Sequence, residues 1–305
     1  MRPQRLTLSL VFSLVAISPA ANAQVIRTWV SGTGDDASEN CSRTAPCRTF
    51  AGASGKTLDG GEINILDGFG FGPLSITNRS LSVVASGHTG SIVASALTAL
   101  IVSNSSGFPV NVTLRGLELN GVASGVAGIR VTGSSPVNLH IENGNIFRFA
   151  NGINVLSNAA VSISVVNSRI TDCLASGNGI NTDAASGPVQ ISLIGSEIHN
   201  CNTGINLAGT AKINVKNSDL SQNTTGVNVA SASATALLDS NIISFCTTAV
   251  NVAISGGIVR LTNTTISDNA TGLATVPGGS LISFGNNRIK ANTVNGAPTA
   301  ILVQN

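Results

Sequence analysis

The sequence predicts an all-β chain built as a single right-handed parallel β-helix, a solenoid of about ten coils of 22–28 residues with an N-terminal cap. Three observations predict it. Apolar anchors recur at nearly constant separation, a period that signals stacked supersecondary units. Apolar residues also recur at alternate positions before each anchor, the spacing of a strand with one face buried. Finally, 3% aromatic content, no Tyr and 33 Gly exclude a core of large aromatic side chains and suit short strands joined by tight turns. Helical periodicity is nearly absent after residue 60.

The chain opens on a processing signal. Arg2 and Arg5 precede an apolar run from Leu6 to Ile17 and the small-residue site Ala21-Asn22-Ala23, so residues 1–23 read as a signal peptide and Gln24 as the mature start. That run is too short to span a membrane, and no later stretch of about 18 apolar residues offers a span. A secreted or periplasmic location follows. The full chain has 16 Lys+Arg against 14 Asp+Glu; removing Arg2 and Arg5 leaves 14 of each, a formally neutral protein. Nucleic-acid binding, which needs a positive surplus, is disfavoured.

Residues 24–61 read as the N-terminal cap, because a solenoid end exposes core and unpaired strand edges. Cys41 and Cys47 enclose a short Pro-containing loop and are expected to pair in an oxidising compartment. A short helix is expected after Pro46, within Cys47 to Thr57, lying over the first coil. Asp35-Asp36 reads as a solvated turn.

Residues 62–292 carry the coils. The anchors are Leu119, Ile146, Ile170, Ile198, Leu220, Ile242, Ile266 and Ile289, separated by 27, 24, 28, 22, 22, 24 and 23 residues. The fifth residue before each anchor is Leu114, Ile141, Val165, Leu193, Val215, Leu237, Leu261 and Phe284, and the seventh is mostly aliphatic. Gly, Asn or Asp stands three before every anchor, from Gly116 to Asp239 and Asn286, and these types tolerate the left-handed backbone of a bend. Another strand starts at pairs such as Gly152-Ile153, Gly204-Ile205 and Gly272-Leu273. Weaker signals near Ile63, Leu74, Leu81 and Leu100 add about two coils. Residues 293–305 read as a C-terminal cap or tail over the last coil.

This coil pattern resembles the pectin-lyase-like superfamily across the mature chain. Two blocks, Thr28 to Asp36 with Cys41 to Phe50, and Ser283 to Ile289, also resemble exported bacterial right-handed parallel β-helix repeat proteins of unestablished activity. The superfamily implies two enzyme chemistries. Polygalacturonase-like hydrolases carry an Asn-Thr-Asp and an Arg-Ile-Lys, matched by Asn181-Thr182-Asp183 and Arg288-Ile289-Lys290. Their Asp-Asp pair and Gly-His-Gly have no counterpart between those blocks, so the acid and base of an inverting mechanism are missing. Pectate-lyase-like enzymes use carboxylates that hold Ca²⁺ and a basic proton acceptor. The candidates for that role are Glu197 and Asp219 on adjacent coils, with Arg169 one coil before and His199 two residues along. They equally describe a solvated face on which charges offset one another.

The third strand offers an outward column, Asn154, Asn181, Asn206, Asn228 and Asn251, which reads as a hydrogen-bonded amide ladder or as a polar strip for glycan. Cys173, Cys201 and Cys246 fall at corners facing the core and read as buried thiols, with a Cys173–Cys201 disulfide geometrically possible. No His/Cys spacing suggests a metal, and no cofactor is expected outside Ca²⁺ in the lyase reading. The leading expectation is a non-catalytic surface that binds envelope or extracellular polysaccharide or another cell-surface partner. A polysaccharide lyase or glycoside hydrolase and a purely structural stalk or scaffold are the alternatives.

Overall fold

A computed structural model describes residues 24–185 and 187–302. The signal-peptide reading of residues 1–23 lies outside the described residues, as does the end of the tail.

The chain winds as an all-β parallel solenoid with a single short helix among the described residues. One twelve-stranded sheet, here sheet 1, runs the length of the molecule from Val25–Val30 to Ala300–Ile301. A second sheet of thirteen strands forms the next face and wraps a corner through the long strands Leu117–Gly133 and Asn145–Val155. Towards the C-terminal end a three-stranded sheet, Ile242–Ser244, Thr265–Ser267 and Arg288–Ile289, makes the third face. Each strand pairs in parallel with its equivalent one coil away: Ile141 lies beside Leu114 and Val165, and Ile205 beside Ile180 and Val227. Alternate side chains point inward and fuse into one continuous aliphatic core, from Val30 to Leu281.

Two coils depart by one residue from the anchor register read in the sequence. The buried anchor is Ile243, not Ile242, which is half exposed at 51%. Its inward partner is Leu238, which pairs with Val215 and Leu261, and the left-handed bend falls on Ser240 rather than Asp239. In the last coil Leu281 and Ser283 point inward instead of Ile282 and Phe284, and Gly285 (φ 86°) makes the bend in place of Asn286. Both slips occur at apolar doublets, Leu237-Leu238 with Ile242-Ile243 and Leu281-Ile282, where period-two alternation fits either register. Hydrogen bonding to the neighbouring rung decides between them.

The N-terminal end is organised by one carboxylate. Asp36 Oδ1 accepts from the Arg48 and Thr49 N–H groups, its Oδ2 accepts from the Thr49 hydroxyl, and Thr49 Oγ1 in turn caps the helix Phe50–Lys56 at Gly52 N. Asp36 is thus a fixed acceptor, not a free solvated turn. Phe50 tucks under the helix against Phe71, with ring centroids 5.1 Å apart. Arg79 closes the other helix end by donating to Ser54 O and Thr57 O. Cys41 and Cys47 are disulfide-bonded as the sequence suggests.

Burial pulls the Asp36 carboxyl up, but hydrogen bonds from Thr49 and Arg48 and the charge of Lys56 outweigh it and hold the pKa below the ordinary 3.8. A lowered carboxylate pKa stabilises the folded state above the unfolded value, and that contribution disappears as pH falls through the folded one. Asp36→Asn should therefore loosen the N-terminal end at neutral pH and flatten its acid sensitivity below about pH 4. Proteolysis of the Gln24–Lys56 region across a pH series measures this; identical acid profiles for variant and parent would refute it.

At the other end, residues after Asn292 hydrogen-bond back to the preceding coil, Thr299 N to Leu281 O and Leu302 N to Ser283 O.

Candidate functional site: the outer face of sheet 1

Five successive strands of sheet 1, Val161–Val166, Val189–Ile194, Lys212–Lys216, Thr235–Asp239 and Ile258–Thr262, present their outward residues to an open trough of about 520 Å³. Because inward positions are aliphatic, the trough floor is made by the alternate residues, a column that runs Ser164, Ser192, Asn214, Leu237 and ends on Arg260. Gln190 and Lys212 stand in the outward column beside it. Lys212 and Arg260 stand two rungs apart, about 10 Å along the solenoid axis. Neither makes an ion pair among the described residues, whereas Lys216 at the strand end is matched by Asp239 at 3.6 Å. The trough lining contains no Asp, Glu or His. The result is an elongated, mostly polar floor, with Leu237 its apolar member, and two uncompensated cations.

A second depression of about 340 Å³ adjoins it at the strand starts, bordered by Pro188, Thr210 and Ser233, and shares Gln190 and Lys212 with the trough.

The residues singled out by sequence lie elsewhere. Arg169, Glu197 and Asp219 are consecutive in one outward column, with His199 beside them. They separate into two pairs. Arg169 Nε reaches Glu197 Oε2 at 2.8 Å on an exposed strip, and His199 Nε2 lies 3.8 Å from Asp219 Oδ1. Asp219 Oδ1 also accepts from the N–H and hydroxyl of Ser221. The next residue in that column is Ile242, which the sequence register places in the core as an anchor. Among the described residues no group of three or more His, Cys, Asp and Glu side chains is arranged to hold a metal ion.

The amide column forms a ladder. Asn181 donates to Asn154, Asn206 to Asn181, Asn228 to Asn206 and Asn251 to Asn228, at 3.0, 2.9, 2.8 and 3.0 Å. Each interior amide thus spends one donor and one acceptor along the solenoid axis. The Asn181-Thr182-Asp183 and Arg288-Ile289-Lys290 segments are more than four rungs, about 20 Å, apart. They do not converge on one site.

Cys173 and Cys201 are disulfide-bonded across adjacent coils, so the buried-thiol expectation holds only for Cys246. Burial pushes the Cys246 thiol up to about 11, which keeps it protonated.

The family described as "Right handed beta helix region" matches residues 127–289, more than half of the chain. The chain belongs to the right-handed β-helix family. Within that family fold, the crystal structure of pectate lyase Pel9A is similar with a TM-score of 0.51 and 14% identity, over 91% of this chain and 80% of that one. A GH136 lacto-N-biosidase from Eubacterium ramulus gives a TM-score of 0.49 and 8% identity over 91% of this chain and 67% of its own. No curated protein matches the sequence. Identity at this level carries the β-helix fold and no activity.

The sequence reading missed the sheet 1 trough. The signal is present in the sequence, because the outward positions of sheet 1 align Ser162, Gln190 and Lys212 on successive rungs.

Proposed function

We propose that this protein is an exported, non-catalytic β-helix that binds an acidic polysaccharide of the cell envelope or its surroundings along the trough of sheet 1. The observation that carries the reading is the pairing of two uncompensated cations, Lys212 and Arg260, with a floor of hydroxyls and amides interrupted only by Leu237, and no lining carboxylate. Cations without internal partners favour repeated negative charge. Hydroxyls and amides offer the donors and acceptors that sugar hydroxyls need. Cleavage has separate requirements: a hydrolase needs a carboxyl pair across the scissile bond, and a Ca²⁺-dependent lyase needs acidic ligands. The trough lining supplies neither. Two disulfides suit an oxidising, extracytoplasmic setting, and among the described residues no helix is long and apolar enough to cross a membrane.

The test is calorimetric titration of mature protein with long-chain oligogalacturonate, alginate and a neutral dextran. Acidic chains should bind with an affinity that falls as salt rises, and dextran should not. Lys212→Ala/Arg260→Ala should weaken acidic binding at least about tenfold, since each loses a charge-assisted contact. Equal binding of dextran, an unaffected double variant, or release of shortened or unsaturated product would overturn the proposal.

A further inference from the structure

Phe108 is 74% exposed, the highest exposure of any large apolar side chain among the described residues. It is held there by a built loop rather than by slack chain. Asn104, fully buried, donates through Nδ2 to Phe108 O at 2.8 Å and to Pro136 O at 2.7 Å. Its Oδ1 accepts from the N–H and hydroxyl of Ser106, and that hydroxyl also reaches Phe108 O at 3.1 Å. Gly107, at φ 85°, makes the bend and donates its N–H to Ser135 Oγ at 2.9 Å. The N–H and carbonyl of Phe108 are thus held by Ser106 and Asn104 of its own loop, and the loop is tied to the next coil through Gly107 N–H to Ser135 and Asn104 to Pro136 O. With the backbone already held, binding has to order only the two side-chain torsions of the ring.

The position of the loop gives the ring a ligand. Phe108 precedes the strand Val110–Arg115 at the same corner row that, three coils on, becomes the Pro188 border of the second depression. From there an outward column runs in strict register, Asn111, Asn138, Ser162, Gln190, Lys212, and every member is exposed. Asn138 Nδ2 donates to Asn111 Oδ1 at 2.9 Å, which orients the first two amides. The column covers four rungs, about 20 Å, and ends on the residue shared by both depressions. A polar column therefore runs from the strand that follows Phe108 to the cationic trough.

We infer that Phe108 is a stacking subsite for a sugar ring of the same acidic polysaccharide, lying towards the N-terminal end of the solenoid from the trough. The inference rests on the glycan reading of the trough. A pyranose has one face of polarised C–H groups, which fits the electron-rich face of an aromatic ring, while its edge hydroxyls meet Asn111 and Asn138. A chain long enough to reach Phe108 from Lys212 gains that contact, and a short one held in the trough does not. Phe108 therefore selects for chain length, whereas Lys212 and Arg260 select for charge.

The experiment titrates mature wild type, Phe108→Ala and Phe108→Trp with short and long oligogalacturonates at two salt concentrations. Phe108→Ala should bind long chains about tenfold more weakly, the loss expected of a buried aromatic contact. It should bind short chains as wild type does and keep the wild-type salt dependence. Phe108→Trp should retain the long-chain affinity. Long-chain binding unchanged in Phe108→Ala, or an equal loss on short and long chains, overturns the stacking subsite while leaving the trough reading intact. Failure of wild type to bind any acidic chain overturns the trough reading and this subsite together.

Discussion

Excision of residues 236–258 should leave a soluble, cooperatively folding β-helix with a lower melting temperature, whereas excision of residues 236–247 should leave no folded protein. The first removes one complete coil, because Thr235 and Ile258 occupy equivalent positions on neighbouring rungs. After religation Val259 falls beside Ile213 and Leu261 beside Val215, the places held by Ala236 and Leu238. Ile266 replaces Ile243, and Leu273 stacks on Val227 where Val250 stood. Every inward residue lands on an inward position, and both disulfides are untouched. Coils contact mainly their neighbours, so the loss is close to one interface out of many. The shorter excision joins the start of a sheet 1 strand directly to Thr248–Val252 of the second sheet. That deletes one rung from two faces but not from the other, leaving unpaired strand edges over an emptied core. Circular dichroism and thermal melts of both variants decide the matter. Equal tolerance of the two excisions would refute the register, and so would collapse of the whole-coil variant.

The contrast shows what kind of information the sequence carries. Coil length, strand order and the inward columns from Leu114 to Val215 are legible because each coil restates the same alternation, so an error in one is corrected by its neighbours. Legibility fails where a coil offers two apolar residues in a row. At Leu237-Leu238 and Ile242-Ile243 both registers bury a large aliphatic side chain. The deciding terms are backbone hydrogen bonds such as Ser240 N to Thr262 O, which have no side-chain signature. The same slip hid the alignment of Cys246. Counted from Ile243, it falls three past its anchor, in one column with Cys173, Cys201 and Asn223.

Site residues were legible in proportion to how local their geometry is. The adjacency of Glu197 and Asp219 follows from one rung spacing and is present in the fold. Their division between Arg169 and His199 depends on rotamers that no periodicity encodes. The trough depends on sheet curvature over five rungs, and the exposure of Phe108 on a loop whose anchor, Asn104, is itself buried. An Asn inside a Gly/Asn/Ser-rich chain looks alike in sequence whether it points in or out.

The two settings differ sharply in energy. Asn223→Ala should destabilise the protein by roughly 3–5 kcal/mol, whereas Asn206→Ala should cost less than about 1 kcal/mol, although both remove one amide from a stacked column. Asn223 is 2% exposed. Its Nδ2 donates to Ile198 O at 2.8 Å and Leu220 O at 2.9 Å, and its Oδ1 accepts from Cys201 N at 2.9 Å. Leu220 O has besides this only a weak contact from the Cys246 thiol at 3.5 Å, so truncation leaves the Ile198 carbonyl and the Cys201 N–H without these partners and the Leu220 carbonyl with a thiol donor alone. Each such group forfeits its solvation without compensation, so the penalties accumulate. Asn269 repeats the arrangement two coils on, accepting from Cys246 N at 2.8 Å and donating to Ile243 O at 3.0 Å. Asn206 instead bonds only to the Asn181 and Asn228 side chains on a half-exposed face, where water can take its place. Asn223→Asp sharpens the test: it keeps the acceptor for Cys201 N but presents a carboxylate to two carbonyl oxygens, so it should be at least as damaging as Ala. Urea midpoints for the three variants give the comparison directly. Equal losses at Asn223 and Asn206, or a mild Asn223→Asp, would show that the inner amides fill space and do not satisfy the corner backbone.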